Sequence, residues 1–343
     1  MLDILAIGDL HLDGLKFLPD GNRLIRDEIA KAEKYAVRNG IQHIVYLGDI
    51  ADKPVLSYEA HELLLDVWGK NQDLLTRHVI LGNHDYSHVG RHSLTILKKA
   101  FEGSNVHIYT EPTTVEIGGV PVNFLPYPFP NVEEEVNLRG YLNVSHFEVA
   151  GAMRDNGTPS TAKYQPPSRT HWIMGHLHTP HDVGLVHYVG TMFQRNFGES
   201  LPKSFSRVKA RVKDGELQLK KIRVENRPNF QLSTVVAEKA SDLDSVPYEP
   251  THFVKLLVSS KLHIPADYLS SRPNIVKVQV FATKSERKAL IEDSVITSVD
   301  VLDFDAFDRL DDYLSNYYPN LTDDELSRIH TIMENVRKNL EGG

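Results

Sequence analysis

The sequence contains no cysteine. That absence excludes a disulfide framework, a thiolate-ligated zinc or iron–sulfur site and a cysteine nucleophile, and it fits a reducing compartment. Long apolar runs are missing as well. None approaches the ~20 residues that a bilayer-spanning helix needs, so no membrane association is expected. The start of the chain lacks a basic segment followed by a long apolar stretch, so no secretory signal is expected and the cytoplasm is the expected location. A surplus of positive charge is also lacking: 38 Lys and Arg stand against 46 Asp and Glu, a net charge of −8. That is not the balance of a bulk electrostatic binder of nucleic acid. Binding of that kind would need a local patch, metal ions or a partner. What is present is an ordinary globular composition, 41% hydrophobic and 24% charged over 343 residues. At ~150 residues per domain this suggests about two domains. The 17 histidines are the oddity.

Short apolar strands alternate with amphipathic helices through the first two hundred residues. Leu2–Ile7, His43–Leu47 and His78–Leu81 read as strands, and Asn22–Asn39 and Ser57–Leu75 read as helices. This β-α-β-α-β order predicts an α/β layered domain with parallel pairing. Further strands are expected at Val106–Tyr109, Val115–Ile117, Val120–Leu125, Leu142–Ser145, His171–Met174 and Val186–Val189. Phe205–Val212 and Glu216–Val224 flank Asp214-Gly215, a hairpin signal. After Pro228 the pattern changes. Two strands, His252–Val258 and Ile275–Phe281, surround a short helical stretch near Pro265, which suggests a small α+β domain. Helices are expected at Asp303–Tyr317 and Thr322–Leu340, the second opening on a Thr322/Glu325 capping box.

Four motifs each follow an expected strand: Gly8-Asp9-Leu10-His11, Gly48-Asp49-Ile50-Ala51-Asp52, Gly82-Asn83-His84-Asp85 and Gly175-His176-Leu177-His178. His146, in Ser145-His146-Phe147-Glu148, follows another. The leading glycines allow sharp turns and close approach of backbone to a ligand. In α/β sheets, ligands collect at the carboxyl ends of strands. Carboxylate, amide oxygen and imidazole donors together suit Mn, Fe, Zn or Co. Asp9-x-His11 and His176-x-His178 can each turn both side chains to one side of an extended segment. Asp49 is the natural bridge between two cations, and two cations ~3.5–4 Å apart clamp the attacking and leaving oxygens of a phosphoryl displacement. Any one of these residues alone is commonplace; their order and context point to a metal site.

With these motifs the chain resembles the calcineurin-like metallophosphoesterase superfamily over about residues 1–225. The resemblance implies an α/β fold of two mixed β-sheets flanked by helices, with two divalent metal ions, Mn²⁺ by the family's preference, at the strand ends. It implies that Asp9, His11, Asp49 and His178 hold one metal and that Asp49, Asn83, His146 and His176 hold the other. His84 matches the family's histidine that contacts the scissile phosphate and assists the leaving group. Asp52 and Asp85 match positions that orient ligands. Leu12 after His11 and Asp85 after His84 depart from the protein-phosphatase branch. Gly48-Asp49-Ile50-Ala51-Asp52 with Leu56-Ser57-Tyr58, and Tyr188-Val189-Gly190-Thr191 leading to Phe197-Gly198-Glu199, are similar to SbcD-type repair nucleases. Ser145–Gly151 is similar to their compact phage version.

That resemblance implies a duplex exonuclease with endonuclease activity, acting on DNA with an SMC-like coiled-coil ATPase subunit (SbcC-type) that docks on the C-terminal helices, and able to form a homodimer. The implied organisation is a nuclease domain at 1–227, a small capping domain at 228–290, and a linker with partner-binding helices at 291–343. The competing readings are a small-molecule phosphodiesterase or pyrophosphatase on the same fold, and a non-catalytic scaffold. Other features have two readings. Asp13 is either another acidic neighbour of the metals or a turn residue, and Asp13-Gly14 favours the turn. His88 and His92 would share a face on a helix. Nine basic residues against three acidic ones between Lys203 and Arg227 form either a DNA-backbone track or the wet face of a hairpin.

Overall fold

The computed structural model describes residues 1–87, 91–128 and 137–281. Strand β1 (Leu2–Ile7) is apolar almost throughout because both of its faces are covered. Leu2, Ile4 and Ala6 point to one cluster, while Leu5 and Ile7 point to another on the opposite face. The second cluster is filled by helices α1 (Gly21–Arg38) and α2 (Tyr58–Gly69), through Ile25, Ile29, Leu64 and Trp68. β1 pairs in parallel with β2 (His43–Tyr46), β2 with β3 (Thr76–Ile80), and β3 with β4 (Val106–Tyr109). The short helix α3 (Thr95–Ala100) precedes β4.

A second sheet runs in the order β5 (Thr113–Ile117), β6 (Val120–Leu125), β7 (Leu142–Ser145), β8 (His171–Met174), β10 (Val186–Tyr188), β9 (His181–Val183). The first sheet is completed on its far edge by β11 (Lys203–Lys213) and β12 (Glu216–Asn226), giving β12-β11-β1-β2-β3-β4. β11 lies antiparallel to β1, so the sheet is mixed. Val45, Ile80 and Val208 of the first sheet meet Val122, Phe124, Val144 and Ile173 of the second in one buried cluster. The expected two-sheet architecture is therefore present, with helices on the outer face of the first sheet.

The helix expected over Ser57–Leu75 stops at Gly69. Ser57 caps its start by accepting from Ala60 N at 3.2 Å. At its end, Arg77 from β3 donates to the Val67 and Lys70 carbonyls at 3.4 and 2.8 Å. Two of the carbonyls that a longer helix would use are thereby taken. The same guanidinium makes a two-pronged pair with buried Glu33 of α1, both contacts 2.7 Å, and Tyr46 donates to Glu33 at 2.9 Å. This network ties α1 to β2 and β3.

The hairpin at Asp214-Gly215 is present, with both residues at positive φ (53° and 78°) and Lys213 opposite Glu216, the geometry of a type I′ turn. Beyond it, β13 (Gln231–Ala237), β14 (His252–Ser259) and β15 (Ile275–Phe281) form a three-stranded sheet, with α4 (Ala266–Ser270) between the last two. Phe230, Leu232 and Phe253 belong to the cluster that covers α1 and α2. The chain divides into two units, Met1–Leu257 with Leu262–Val278, and Val258–Lys261 with Gln279–Gly343. Only 258–261 and 279–281 of the second are among the described residues. The helices expected at 303–317 and 322–340, and His88, lie outside them. His92 is described. It forms a bridge opposite Tyr86 ahead of α3 and does not sit on a helix. Among the described residues no helix is long and apolar enough to cross a membrane.

Candidate metal centre

Because β1, β2 and β3 run in parallel, the loops after them leave the first sheet at one edge. β7 and β8 are parallel in the second sheet, and their following loops meet the first three. The loops are stitched together. Leu10 N and His11 N donate to Asp49 O, Leu12 N donates to Ile50 O, and Asp52 N donates to Leu12 O, all at 2.8–3.0 Å. The glycines are needed because one loop's backbone lies against another loop's functional side chain. A Cβ on Gly82 would sit 2.1 Å from Asp49 Oδ1, and one on Gly175 would sit 2.7 Å from Asp9 Oδ1 and 2.8 Å from His146 Nδ1. His11, Asp49 and His176 themselves have positive φ (45°, 48° and 82°). Such conformations cost about 1–3 kcal/mol each and persist only where surrounding bonds enforce them.

The structure brings all the expected ligand residues together in two adjacent groups, and a third group, His11 with Asp52 and His84, overlaps the first at His11. The ligand atoms of Asp9, His11 and His178 lie within 4.8 Å of one another, as do those of Asp49, His146 and His176. Asn83 Oδ1 joins the second group, 2.9 Å from His176 Nδ1 and 3.2 Å from His146 Nε2. Asp49 Oδ2 stands between the groups, 3.5 Å from His11 Nε2 and 3.2 Å from His146 Nε2. Buried His11 has no hydrogen-bond partner for either ring nitrogen. An orphaned pair of buried nitrogens facing carboxylates, within a set of oxygen and imidazole donors, fits divalent cations.

The electrostatics are those of a crowded acidic centre. Burial pushes the His11 imidazolium down to about 4, so the ring is neutral at neutral pH. Burial would raise the Asp49 carboxyl, but His146, His11 and His84 outweigh it and hold the group below the usual carboxylate range. Burial would also neutralise His146, but Asp49 and Asp9 reverse that and raise it to about 10. Its Nδ1 faces the Leu47 carbonyl at 2.6 Å, so Nδ1–H donates there and Nε2 points to Asp49 and Asn83.

The remaining expected residues are placed as follows. His84 is partly exposed. Its Nδ1 lies 2.8 Å from the Asp52 carbonyl, which fixes the ring, and its other nitrogen is Nε2. Its ring packs edge-on against that of His11, with 4.8 Å between centroids. Asp52 Oδ1 lies 3.4 Å from His11 Nδ1, so its carboxylate addresses His11. Asp85 is fully buried and accepts from Gly82 N, Ile50 N, Ala51 N and Ser93 Oγ. Burial and the Asp49 charge raise its pKa. It clamps the second and third loops together. Asp13 accepts from Asn22 Nδ2 and from Ser57 N and Oγ. It therefore pins the first loop to α2, as the turn reading expects.

Sequence reasoning missed Arg195 and Asp155 and gave Glu148 and Glu199 no role. Glu199 Oε1 lies 3.0 Å from His178 Nδ1, and its other oxygen accepts from buried Lys203 at 2.6 Å. Lys203 is thus buried and paired, and it drops out of the basic track. Arg207 and Lys209 pair with Asp3, and Lys221 and Arg223 pair with Asp182. Val208 and Ala210 are buried between these cations, which is the alternation of a hairpin face. Asp155 accepts from His178 N and Thr179 N, and Glu148 lies 3.5 Å from His176 Nε2. Asp182, His187 and Ser206 line up as a carboxylate–imidazole–hydroxyl relay, with contacts of 2.5 and 2.8 Å. Ser206 is fully buried on the inner face of β11, so no substrate reaches it and the relay serves as a cross-link.

Residues 2–182, more than half the chain, match the family Calcineurin-like phosphoesterase. Exonuclease subunit 1 of Enterobacteria phage T4 is 29% identical over 218 residues, covering 60% of this chain and 63% of that protein. Putative phosphoesterase 078R of Invertebrate iridescent virus 3 is 29% identical over 241 residues, covering 63% and 64%. The chain thus spans a little under two thirds of the length of these relatives. A Vps29 double mutant from Entamoeba histolytica is 14% identical with a TM-score of 0.27, covering 65% of this chain and 99% of that one, a likeness too slight to bear on function.

Proposed function

The chain belongs to the calcineurin-like phosphoesterase family, and on that premise we propose that it is a two-metal DNA nuclease that hydrolyses phosphodiester bonds from duplex ends and internally. One observation carries the reading: Asp49 Oδ2 stands between two imidazole-rich donor groups, 3.5 Å from His11 and 3.2 Å from His146. Asp9, His11, Asp49 and His178 would hold one divalent ion. Asp49, Asn83, His146 and His176 would hold the other. Bound there, divalent cations supply Lewis-acid charge at phosphoryl oxygens and bring an attacking water toward ionisation near neutral pH.

The chain's own residues do the rest. Glu199 and Asp155 orient His178, and Glu148 orients His176, as carboxylates do for metal-ligating histidines. His84 is the acid. Its Nδ1–H is committed to the Asp52 carbonyl, so it donates to a leaving oxygen only through Nε2 and only as the imidazolium. DNA as substrate is supported by the similarity to a phage exonuclease subunit. On this reading residues 1–227 are the nuclease domain, 228–290 cap the substrate, and 291–343 dock an SMC-like ATPase subunit in the cytoplasm of a bacterial or phage-infected cell. Mn²⁺ is the proposed metal.

The test is digestion of end-labelled linear duplex by the purified chain, with Mn²⁺ and with chelator, beside a closed circle and a small chromogenic phosphodiester. Mn²⁺-dependent loss of the linear duplex is expected. Turnover of the small ester alone, even after the ATPase subunit is added, would replace DNA with a small-molecule substrate.

A further inference from the structure

The basic residues of the β11–β12 hairpin divide between its two faces. Phe205 stands opposite Val224 in the ladder, and both pack on the side covered by α1. Alternation along each strand puts Arg207, Lys209 and Lys220 on that same side. Lys221 and Arg223 are on the other, where they meet Asp182 of β9. Helix α1 adds Lys31, Lys34 and Arg38, which share one helical face. A groove of about 960 Å³ runs between α1 and the hairpin, lined by these three side chains together with Phe205 and Val224.

Few carboxylates answer these cations. Asp3 serves both Arg207 and Lys209. Asp27 and Glu225 border the groove, but each has its own neighbour, Arg26 or Arg227. Buried Glu28 is taken by Lys31, Asn226 and Asn229. Among the described residues, Lys34, Arg38 and Lys220 are left without a carboxylate partner. The placement also works against the fold. Lys209 stands directly opposite Lys220, and like charges so placed repel. Lys34 lies three residues from Lys31 and four from Arg38, the spacings at which like charges weaken a helix. Arg38 is favoured by the helix C-terminus, but Lys34 and Lys220 have no such compensation. In a chain of net charge −8, this clustering suits an external polyanion better than it suits the fold.

The groove also has a direction. β1 and β2 are parallel with α1 between them, so α1 runs back along β1. At one end of the groove, Asn226 is paired with Lys203, and Lys203 holds Glu199 beside His178. At the other end lie Lys209 and Lys220, six residues of strand away, or ~20 Å. That length matches about six base pairs of duplex. We infer that this groove holds the phosphate backbone of a DNA duplex whose scissile bond lies at the metal centre. The inference rests on the proposed nuclease activity. Cations spread along ~20 Å fit an extended polyanion and not a compact anion, and cations on the walls of a groove fit a rod better than a flat membrane. The contacts are to phosphates, so they carry no sequence preference.

The test uses the full chain in chelator, so that binding is read without cleavage. A labelled duplex several helical turns long is followed by anisotropy across a salt series. Arg38→Gln with Lys220→Gln is expected to weaken binding at least tenfold at about 0.1 M salt. It should also lower the slope of log affinity against log salt by about 2, close to 0.9 per lost phosphate contact. Lys221→Gln with Arg223→Gln removes the same charge from the opposite face and should leave the slope in place. Unchanged affinity and slope in the first variant overturn the inference. An equal loss in the second does so too, because net charge would then suffice. Anionic phosphatidylglycerol vesicles are the alternative ligand: a first variant that loses vesicles while holding DNA also overturns the inference.

The first variant removes repulsions and should melt no earlier than the unsubstituted chain. If it melts earlier, Lys220→Gln alone decides by the same readings, with a slope change of about 1 expected. The two readings fail separately. Groove binding without Mn²⁺-dependent cleavage by the unsubstituted chain brings down the nuclease activity. Cleavage with unchanged affinity in the Arg38/Lys220 variant brings down only the groove.

Discussion

Metal binding at this centre should release one proton, and His146 is its source. Burial opposes the charged ring, but the Asp49 and Asp9 carboxylates and the Leu47 carbonyl raise it to about 10. His11 is held at about 4 and His176 is also lowered, both chiefly by burial. Those rings are neutral near neutral pH and release nothing. A cation held by Asp49, Asn83, His146 and His176 needs the Nε2 lone pair of His146, so the proton must go. Keeping this ring neutral at pH 7 against a pKa of about 10 costs roughly 4 kcal/mol. Mn²⁺ affinity at this position should therefore climb about tenfold per pH unit from pH 6.5 to 9 and level off near pH 10. Calorimetry at pH 7 in two buffers of different ionisation enthalpy counts the protons directly, and one is expected. A count of zero, or an affinity flat from pH 6.5 to 9, would refute the reasoning. The metal-free fold should respond too. A pKa raised above its unfolded value contributes stability that is complete below about pH 6.5 and is lost as pH rises toward 10. The stripped protein should melt earlier at pH 9.5 than at pH 6.5, and Mn²⁺ should narrow the gap.

His84→Ala should lower nuclease turnover by about 10²–10⁴-fold, the range for a lost general acid, while metal content by elemental analysis stays the same; full-rate cleavage would remove His84 from the chemistry. Gly82→Ala places a Cβ 2.1 Å from Asp49 Oδ1, so Mn²⁺ affinity should fall at least tenfold as the neighbouring backbone is forced apart, with the circular dichroism spectrum unchanged. An isotherm matching that of the unsubstituted chain would show that the loops have slack. Glu33→Ala removes one member of the buried Arg77 pair and should cost about 3–5 kcal/mol in urea unfolding. A loss under 1 kcal/mol would mean that water replaces the carboxylate.

Strand and helix positions were legible where both the local pattern and the packing ask for the same element. Leu2–Ile7, Val106–Tyr109, Leu142–Ser145 and His171–Met174 lie where their apolar runs place them. The end of α2 was not legible, because the group that takes its last carbonyls, Arg77, arrives from the next strand. β9, α3 and β13 were missed because three residues or one short helix show no period, and because β13 is held by its pairing with β14. The side chains of the proposed centre were legible for a related reason, save His146, which follows Ser145 and not a glycine; their division between two metals came from the family resemblance. A Gly followed by Asp, Asn or His directly after a buried strand is a local signal of a loop at a sheet edge. Arg195 and Asp155 carry no such signal, and their roles arise only when the 145–161 and 191–203 loops fold over His178.

The sources of positive charge in the described structure explain how so acidic a centre can stand. Asp9 and Asp49 are nearly excluded from water, and Asp52 is beside them. Carboxylates this close destabilise a fold unless cations offset them. The His146 imidazolium faces Asp9 and Asp49, and the Arg195 guanidinium faces Asp52. His146 belongs to the proposed position with Asp49, Asn83 and His176, whereas Arg195 contacts Asp52 and His178, and His178 belongs to the other proposed position. The two should therefore yield to metal under different conditions. A proton on His146 is lost with rising pH, whereas a guanidinium keeps its charge throughout the working range. Of the two Mn²⁺ steps, the one that tightens with pH should ignore Arg195→Met, and the one that responds to Arg195→Met should be nearly flat with pH. If both perturbations moved the same step, the two positions would share one compensating charge, and assigning a separate counter-cation to each would be wrong.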